Sequence, residues 1–162
     1  MRIAGFLSLA ILVPASAHAA VIFTEIMYDV SDTDTGREWV EITNTGSSAM
    51  DASGYKFFEA NTNHALTLAS GDGMLAPGGS AVIANDPTKF KTDWPGYTGI
   101  LFDSSFSLSN TGESLALKDG ALTVLDSVSY DSSLGAAGDG NSLQPHRRPA
   151  PTLVRAAHQT PR

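Results

Sequence analysis

Short runs of β-branched and aromatic residues recur along this chain between glycine, asparagine, aspartate and proline, and no stretch after residue 19 keeps a helical period. That punctuation leaves extended structure as the main option. The runs are VIFTEIMY (residues 21–28), EWVEIT (38–43), YKFFEA (55–60), ALTLA (65–69), SAVIAN (80–85), GILF (99–102), ESLALKD (113–119) and LTVLDSVSY (122–130). Between them stand NTGSS, SG, SGDG, APGG, NTG and KDG, each with a residue that tolerates positive φ or presets a turn. About eight short strands with frequent turns predict an all-β sandwich or barrel rather than a parallel α/β sheet. DPTKF (86–90) reads as a single helical turn, with Asp86 as cap and Pro87 at its first position.

The chain has no cysteine, so no disulfide can staple such a fold and its stability must come from a packed core. Residues 1–19 read as a secretory signal: Arg2 supplies the positive start, residues 3–13 the apolar run, and AHA (17–19) the small-residue cleavage site. A span needs about 20 apolar residues, so this run is too short to cross a membrane, and the protein is expected outside the cell or in the periplasm. Residues 20–144 make one domain of ordinary size. Residues 145–162, with four prolines and no carboxylate, read as a disordered basic tail.

All seventeen Asp and Glu fall within residues 25–139, where Arg37, Lys56, Lys89, Lys91 and Lys118 leave a net −12. Arg147, Arg148, Arg155 and Arg162 give the tail +4. Affinity for nucleic acid rests on Lys and Arg displacing counterions, so the acidic body is a poor binder of phosphate backbones.

The stretch YDVSDTDTGREWVEI (28–42) gathers Asp29, Asp32, Asp34, Glu38 and Glu41 around one arginine. Counted from Asp32, the spacing does not match a helix–loop–helix calcium loop, because glycine falls at position five and Thr43 at position twelve. A looser calcium cage from Asp29, Asp32, Asp34 and Glu41 is the candidate metal site; a solvated loop between two strands is the simpler reading. A symmetric hairpin centred near Thr33 sets Glu25 opposite Glu41, where two carboxylates repel. Sandwich topology predicts instead that the two flanking strands enter different sheets. In EWVEI, Val40 and Ile42 share one face, and Trp39, Glu41 and Thr43 the other. If Trp39 belongs to a core, that strand must be covered on both sides.

Little points to catalysis. Of the four histidines only His64 lies in the body, no nucleophile elbow accompanies it, and a zinc site lacks ligands. No glycine-rich loop leads into a helix to cradle phosphates. The expectation is a chain without catalytic residues and without a cofactor, calcium aside. The rival is a cation-dependent hydrolase, or an accessory module of a secreted nuclease or phosphatase, using Glu25, Asp34, Glu38 and Glu41.

TEIMYDV (24–30), REWVEITNTG (37–46), DASGYKF (51–57), LAPGGSAVIANDPTKF (75–90), FSLSNTGESLALKD (106–119), VLDSVSYD (124–131) and DGNSLQ (139–144), in this order, resemble the lamin-tail domain family in its bacterial secreted form. The resemblance implies an immunoglobulin-like β-sandwich with no catalytic residues of its own, serving as an interaction or scaffolding module. It also implies an extracellular or cell-envelope protein or polymer as partner. In bacteria such modules accompany secreted nucleases, phosphatases or surface proteins. Filament assembly does not carry over, since the chain has no coiled-coil rod. After Gln144 the family continues toward a Pro-Gly-Ala-rich ending, from which this chain departs with Arg, Pro and His.

Overall fold

A computed structural model describes residues 21–147 and 151–155; the stretch read as a secretory signal lies outside the described residues. The strands, in chain order, are β1 (Val21–Met27), β2 (Trp39–Asn44), β3 (Met50–Asp51), β4 (Lys56–Glu59), β5 (Thr62–Ala65), β6 (Thr67–Ser70), β7 (Met74–Leu75) and β8 (Ser80–Ala84). After helix α1 (Pro87–Asp93) follow β9 (Ile100–Asp103), β10 (Gly112–Lys118), β11 (Val124–Asp131), β12 (Leu143–Arg147) and β13 (Pro151–Arg155). All eight expected runs form strands. The additional ones are two-residue bridges, the polar β5, and the terminal pair.

Two main sheets stack as an immunoglobulin-like β-sandwich. The large sheet has the order β13-β12-β1-β2-β8-β9-β6 and the small one β11-β10-β4-β5. Alternation along each strand sends Phe23, Ile26, Val40, Ile42, Ile83 and Phe102 of the large sheet inward, against Phe57, Leu115, Leu117, Val128 and Tyr130 of the small one. The rings of Phe23 and Phe57 meet edge-to-face across this interior.

The large sheet is also covered on its outer side. β8 and β9 run parallel, and the crossover between them carries α1, which lies over Met27, Trp39, Val82 and Leu101. The helix begins as the sequence predicts: Asp86 accepts hydrogen bonds from the Thr88 and Lys89 amides at 2.9 and 3.1 Å, with Pro87 first inside. Its single buried side chain, Phe90, packs edge-on against Trp39. Trp39 is thus a core residue of a strand buried on both faces.

Two expectations are corrected. β1 and β2 pair antiparallel in one sheet, with Glu25 opposite Glu41, rather than entering different sheets. The register shifts between Phe23 and Glu25, leaving Thr24 as the extra residue of a bulge. The shift reconciles the two halves of β1: Val21, Phe23 and Ile26 all face the interior although their spacing breaks strict alternation. The second correction concerns the tail. Its backbone at Pro145 to Arg147 and at Pro151 to Arg155 forms strands that pair as an antiparallel hairpin, and Leu143 docks β12 beside Ile26 of β1. Leu143 is fully buried, an anchor that a reading by composition passes over. Residues 148–150 and 156–162 lie outside the described residues.

Candidate functional site

Strand β2 distributes the acidic stretch onto opposite sides of the sheet. Glu38 faces inward with Val40 and Ile42, and Glu41 faces outward with Trp39 and Thr43. Glu25 and Glu41 are each 2 % exposed. Glu25 Oε1 accepts from the Ser142 hydroxyl, and Glu41 Oε1 accepts from the Thr24 hydroxyl at 2.6 Å. Thr43 stands 2.9 Å behind Thr24, and Ser80 stands 2.7 Å behind Thr43, so one orientation of the hydroxyls runs Ser80 to Thr43 to Thr24 to Glu41. The bulge that brings Thr24 into line therefore also supplies the donor for one glutamate. Beside them the Tyr97 hydroxyl is pushed up to about 12, first by burial and further by the charge of Glu41, with a backbone hydrogen bond at Val82 opposing.

Glu38 belongs to a different environment. Its Oε1 accepts from the Leu108 amide at 3.0 Å, and burial raises its pKa to about 8 against that bond, with Asp34, Glu113 and Glu59 adding to the rise. Glu113 accepts from the Ser109 amide at 2.7 Å and lies 3.1 Å from the Tyr130 hydroxyl, which also donates to the Ser109 carbonyl at 2.8 Å. Burial, then the charge and hydrogen bond of Glu113, push the Tyr130 phenol well above its ordinary range. On β5, His64 Nε2 lies 2.9 Å from Glu59 Oε1 but without the alignment of a hydrogen bond. Sequence reasoning missed this interior polar group, although Glu59 and Glu113 alternate in phase with Phe57 and Leu115, which marks them as inward-facing.

The candidate calcium set is split. Asp29, Asp32 and Asp34 lie on the β1–β2 connection, and Glu41 is buried on the sheet beside Tyr97. Asp34 accepts from Asn110 Nδ2 at 2.8 Å, and Asp32 adopts φ 73°. Asp29 has a raised pKa, from burial first and then from the charges of Asp34 and Asp139. Among the described residues no group of three or more His, Asp or Glu is arranged to hold a metal ion. The residues of the hydrolase reading fare the same way: Glu25 and Glu41 lie on one side of the sheet and Glu38 on the other.

Arg37 holds the loop down. Its Nε and one terminal nitrogen grip Asp93 of α1 at 2.7 and 2.9 Å, and its other terminal nitrogen reaches the Ser31 and Thr33 carbonyls. Lys89 adds a bond from Nζ to the Thr35 carbonyl at 3.0 Å. Between loop and helix runs an open depression of about 560 Å³ lined by Thr35, Asn85, Asp86, Lys89 and Asp103. Its lining is mixed in charge, and its one basic side chain, Lys89, is already engaged with the Thr35 carbonyl.

In comparisons with known proteins, the family model described as Lamin Tail Domain matches residues 14–132, beginning inside the stretch read as a signal and ending before β12. No curated protein and no solved structure matches.

Proposed function

The chain belongs to the lamin tail domain family, and from that premise we propose that it is a non-catalytic interaction or scaffolding module that works outside the cell, on a protein or polymer of the envelope or the surrounding medium. Membership in this family gives an interaction module in general terms; export and an extracellular partner are the further steps. The observation that carries the non-catalytic reading is the use made of the acids: Glu25 and Glu41 accept from the hydroxyls of Ser142 and Thr24, and Glu38 accepts from the Leu108 amide. A hydrolytic centre needs such groups converging on one substrate position, with a base free to move a proton. Here Glu38 faces the opposite side of the sheet from Glu25 and Glu41. Export is supported by the charged start, apolar run and AHA site of residues 1–19, and among the described residues no helix is long and apolar enough to cross a membrane.

The test pairs two measurements. The purified chain, offered phosphate mono- and diesters with magnesium, manganese or calcium, is expected to give no turnover, and fractionation of producing cells is expected to recover it from medium or periplasm. Cation-dependent hydrolysis abolished by Glu41→Gln would establish the rival hydrolase, and retention in the cytoplasm would remove the extracellular role.

A further inference from the structure

The two sheets are finished differently on their outer sides. The large sheet carries α1 and its aromatic cover, whereas among the described residues no helix packs on the outer side of the small sheet, where Ser114, Ser127 and Ser129 are exposed. Strand register places two rows of side chains there. Ser127, Ala116, Phe58 and Asn63 form one row across β11, β10, β4 and β5, and Val124, Lys118, Lys56 and Ala65 form the next. Ser129 and Ser114 extend the floor, their hydroxyls 2.8 Å apart.

Lys56 and Lys118 are direct partners across β4 and β10. Like charges opposite one another on a ladder destabilise it, and neither lysine forms an ion pair among the described residues. The fold relieves the pair only by leaning Lys118 aside: its Nζ lies 3.5 Å from the Phe58 ring centroid and donates to Asn63 Oδ1 at 2.9 Å. Inside a body of net −12, the carboxylates of these strands point elsewhere. Glu59 and Asp126 are buried, Glu113 turns to the Tyr130 hydroxyl and the Ser109 amide, and Asp119 is held by the Ala121 and Thr123 amides of its own turn. Only Asp131 closes the far corner of the face.

We propose that this outer face of the small sheet binds a carboxylate-bearing polysaccharide, with Lys56 and Lys118 holding a carboxylate between them and Ser114, Ser127, Ser129 and Asn63 meeting sugar hydroxyls. The proposal deepens the interaction-module reading and rests on it. Strands about 4.8 Å apart bearing short polar side chains make a flat hydrogen-bonding floor suited to a polyhydroxylated chain. Acidic peptides are taken up through sheet edges, apolar grooves or arginine clusters; this face has no arginine and no groove, and its edge strand β5 is only four residues long. Nucleic acid demands dense neutralisation by Lys and Arg and open aromatic faces for stacking, but here two lysines stand alone and Lys118 covers Phe58.

The full chain is passed over immobilised polygalacturonate, polyglutamate, duplex DNA and neutral dextran, with thermal melts of every variant. Retention on polygalacturonate alone is expected, falling with salt. Lys56→Ser/Lys118→Ser should weaken it about tenfold, the factor that two exposed charge contacts supply, with an unchanged or higher melting point. Lys91→Ser, on α1 across the sandwich, should leave retention intact. Equal retention on polyglutamate or DNA, no retention on polygalacturonate, or equal losses in the double variant and Lys91→Ser would overturn the proposal. If the double variant still binds envelope fractions as the parent does, this surface is wrong while the interaction-module reading stands.

Discussion

Glu25 and Glu41 stand directly across the β1–β2 ladder, both buried, and a bulged threonine beside them donates to one of the two. Thr24→Val keeps the shape and β-branching of that residue while removing the donor, leaving a buried carboxylate oxygen short of a hydrogen bond. The expected loss is about 1.5–3 kcal/mol in urea unfolding. A loss below about 0.5 kcal/mol would show that other contacts hold Glu41 and that the hydroxyl chain from Ser80 is incidental.

Trp39 is fully buried between sheet and helix, touching Phe90 and Trp94 edge-on, and its Nε1 has no hydrogen-bond partner among the described residues. Trp39→Ala should cost about 3–5 kcal/mol. Trp39→Phe removes the unpartnered N–H along with part of the ring, so its cost should stay below about 1.5 kcal/mol. If the phenylalanine variant is as damaged as the alanine one, the indole nitrogen has a role that this packing does not reveal.

Glu38 carries a stability that depends on pH. Its folded pKa of about 8 exceeds its ordinary 4.5. Below the ordinary value both states are protonated and the contribution is fully present; between the two values only the folded state keeps the proton, so stability falls as pH rises, levelling off above the folded value. The slope for one proton is at most about 1.4 kcal/mol per pH unit. Glu38→Gln retains an acceptor for the Leu108 amide and should flatten this slope, matching the parent near the acid end and exceeding it near the alkaline end. A parent–variant difference that stays constant across the window would refute the assignment.

Gly112 opens β10 at φ 125°, where an added Cβ would meet the Tyr130 carbonyl oxygen at 2.5 Å and Asp131 Cα at 2.6 Å. Backbone cannot yield as a side chain does, so Gly112→Ala should lower stability by at least about 2 kcal/mol. Gly54→Ala, at a position with nothing within 4 Å, should stay within about 0.5 kcal/mol of the parent. Paired melts of the two variants decide the point.

The sandwich was legible because each buried strand announced itself through alternation: Phe57 against Lys56 and Phe58, Leu115 and Leu117 against Ser114 and Lys118. β5 was not, since Thr62–Ala65 is a polar edge strand whose place depends on pairing with β4. The hairpin register of β1 and β2 was legible, but the repulsion expected of Glu25 opposite Glu41 argued against it, because the hydroxyls of Ser142 and Thr24 that meet those acids come from the folded arrangement and not from any local pattern. The parallel crossover had no local signature beyond the Asp86 cap, because parallel pairing is a relation between β8 and β9 and not a property of either. For the acids, composition showed their number, but only strand phase separates Glu38 from Glu41.

The docking of β12 beside β1 has a consequence for how the chain matures. Ser142 and Glu25, which share a hydrogen bond, are 117 residues apart. A chain emerging from its N-terminus cannot complete the neighbourhood of its first strand until Ser142 has appeared. Such long-range closure delays commitment to the native state, and completion of the large sheet waits on the last neighbour of its first strand.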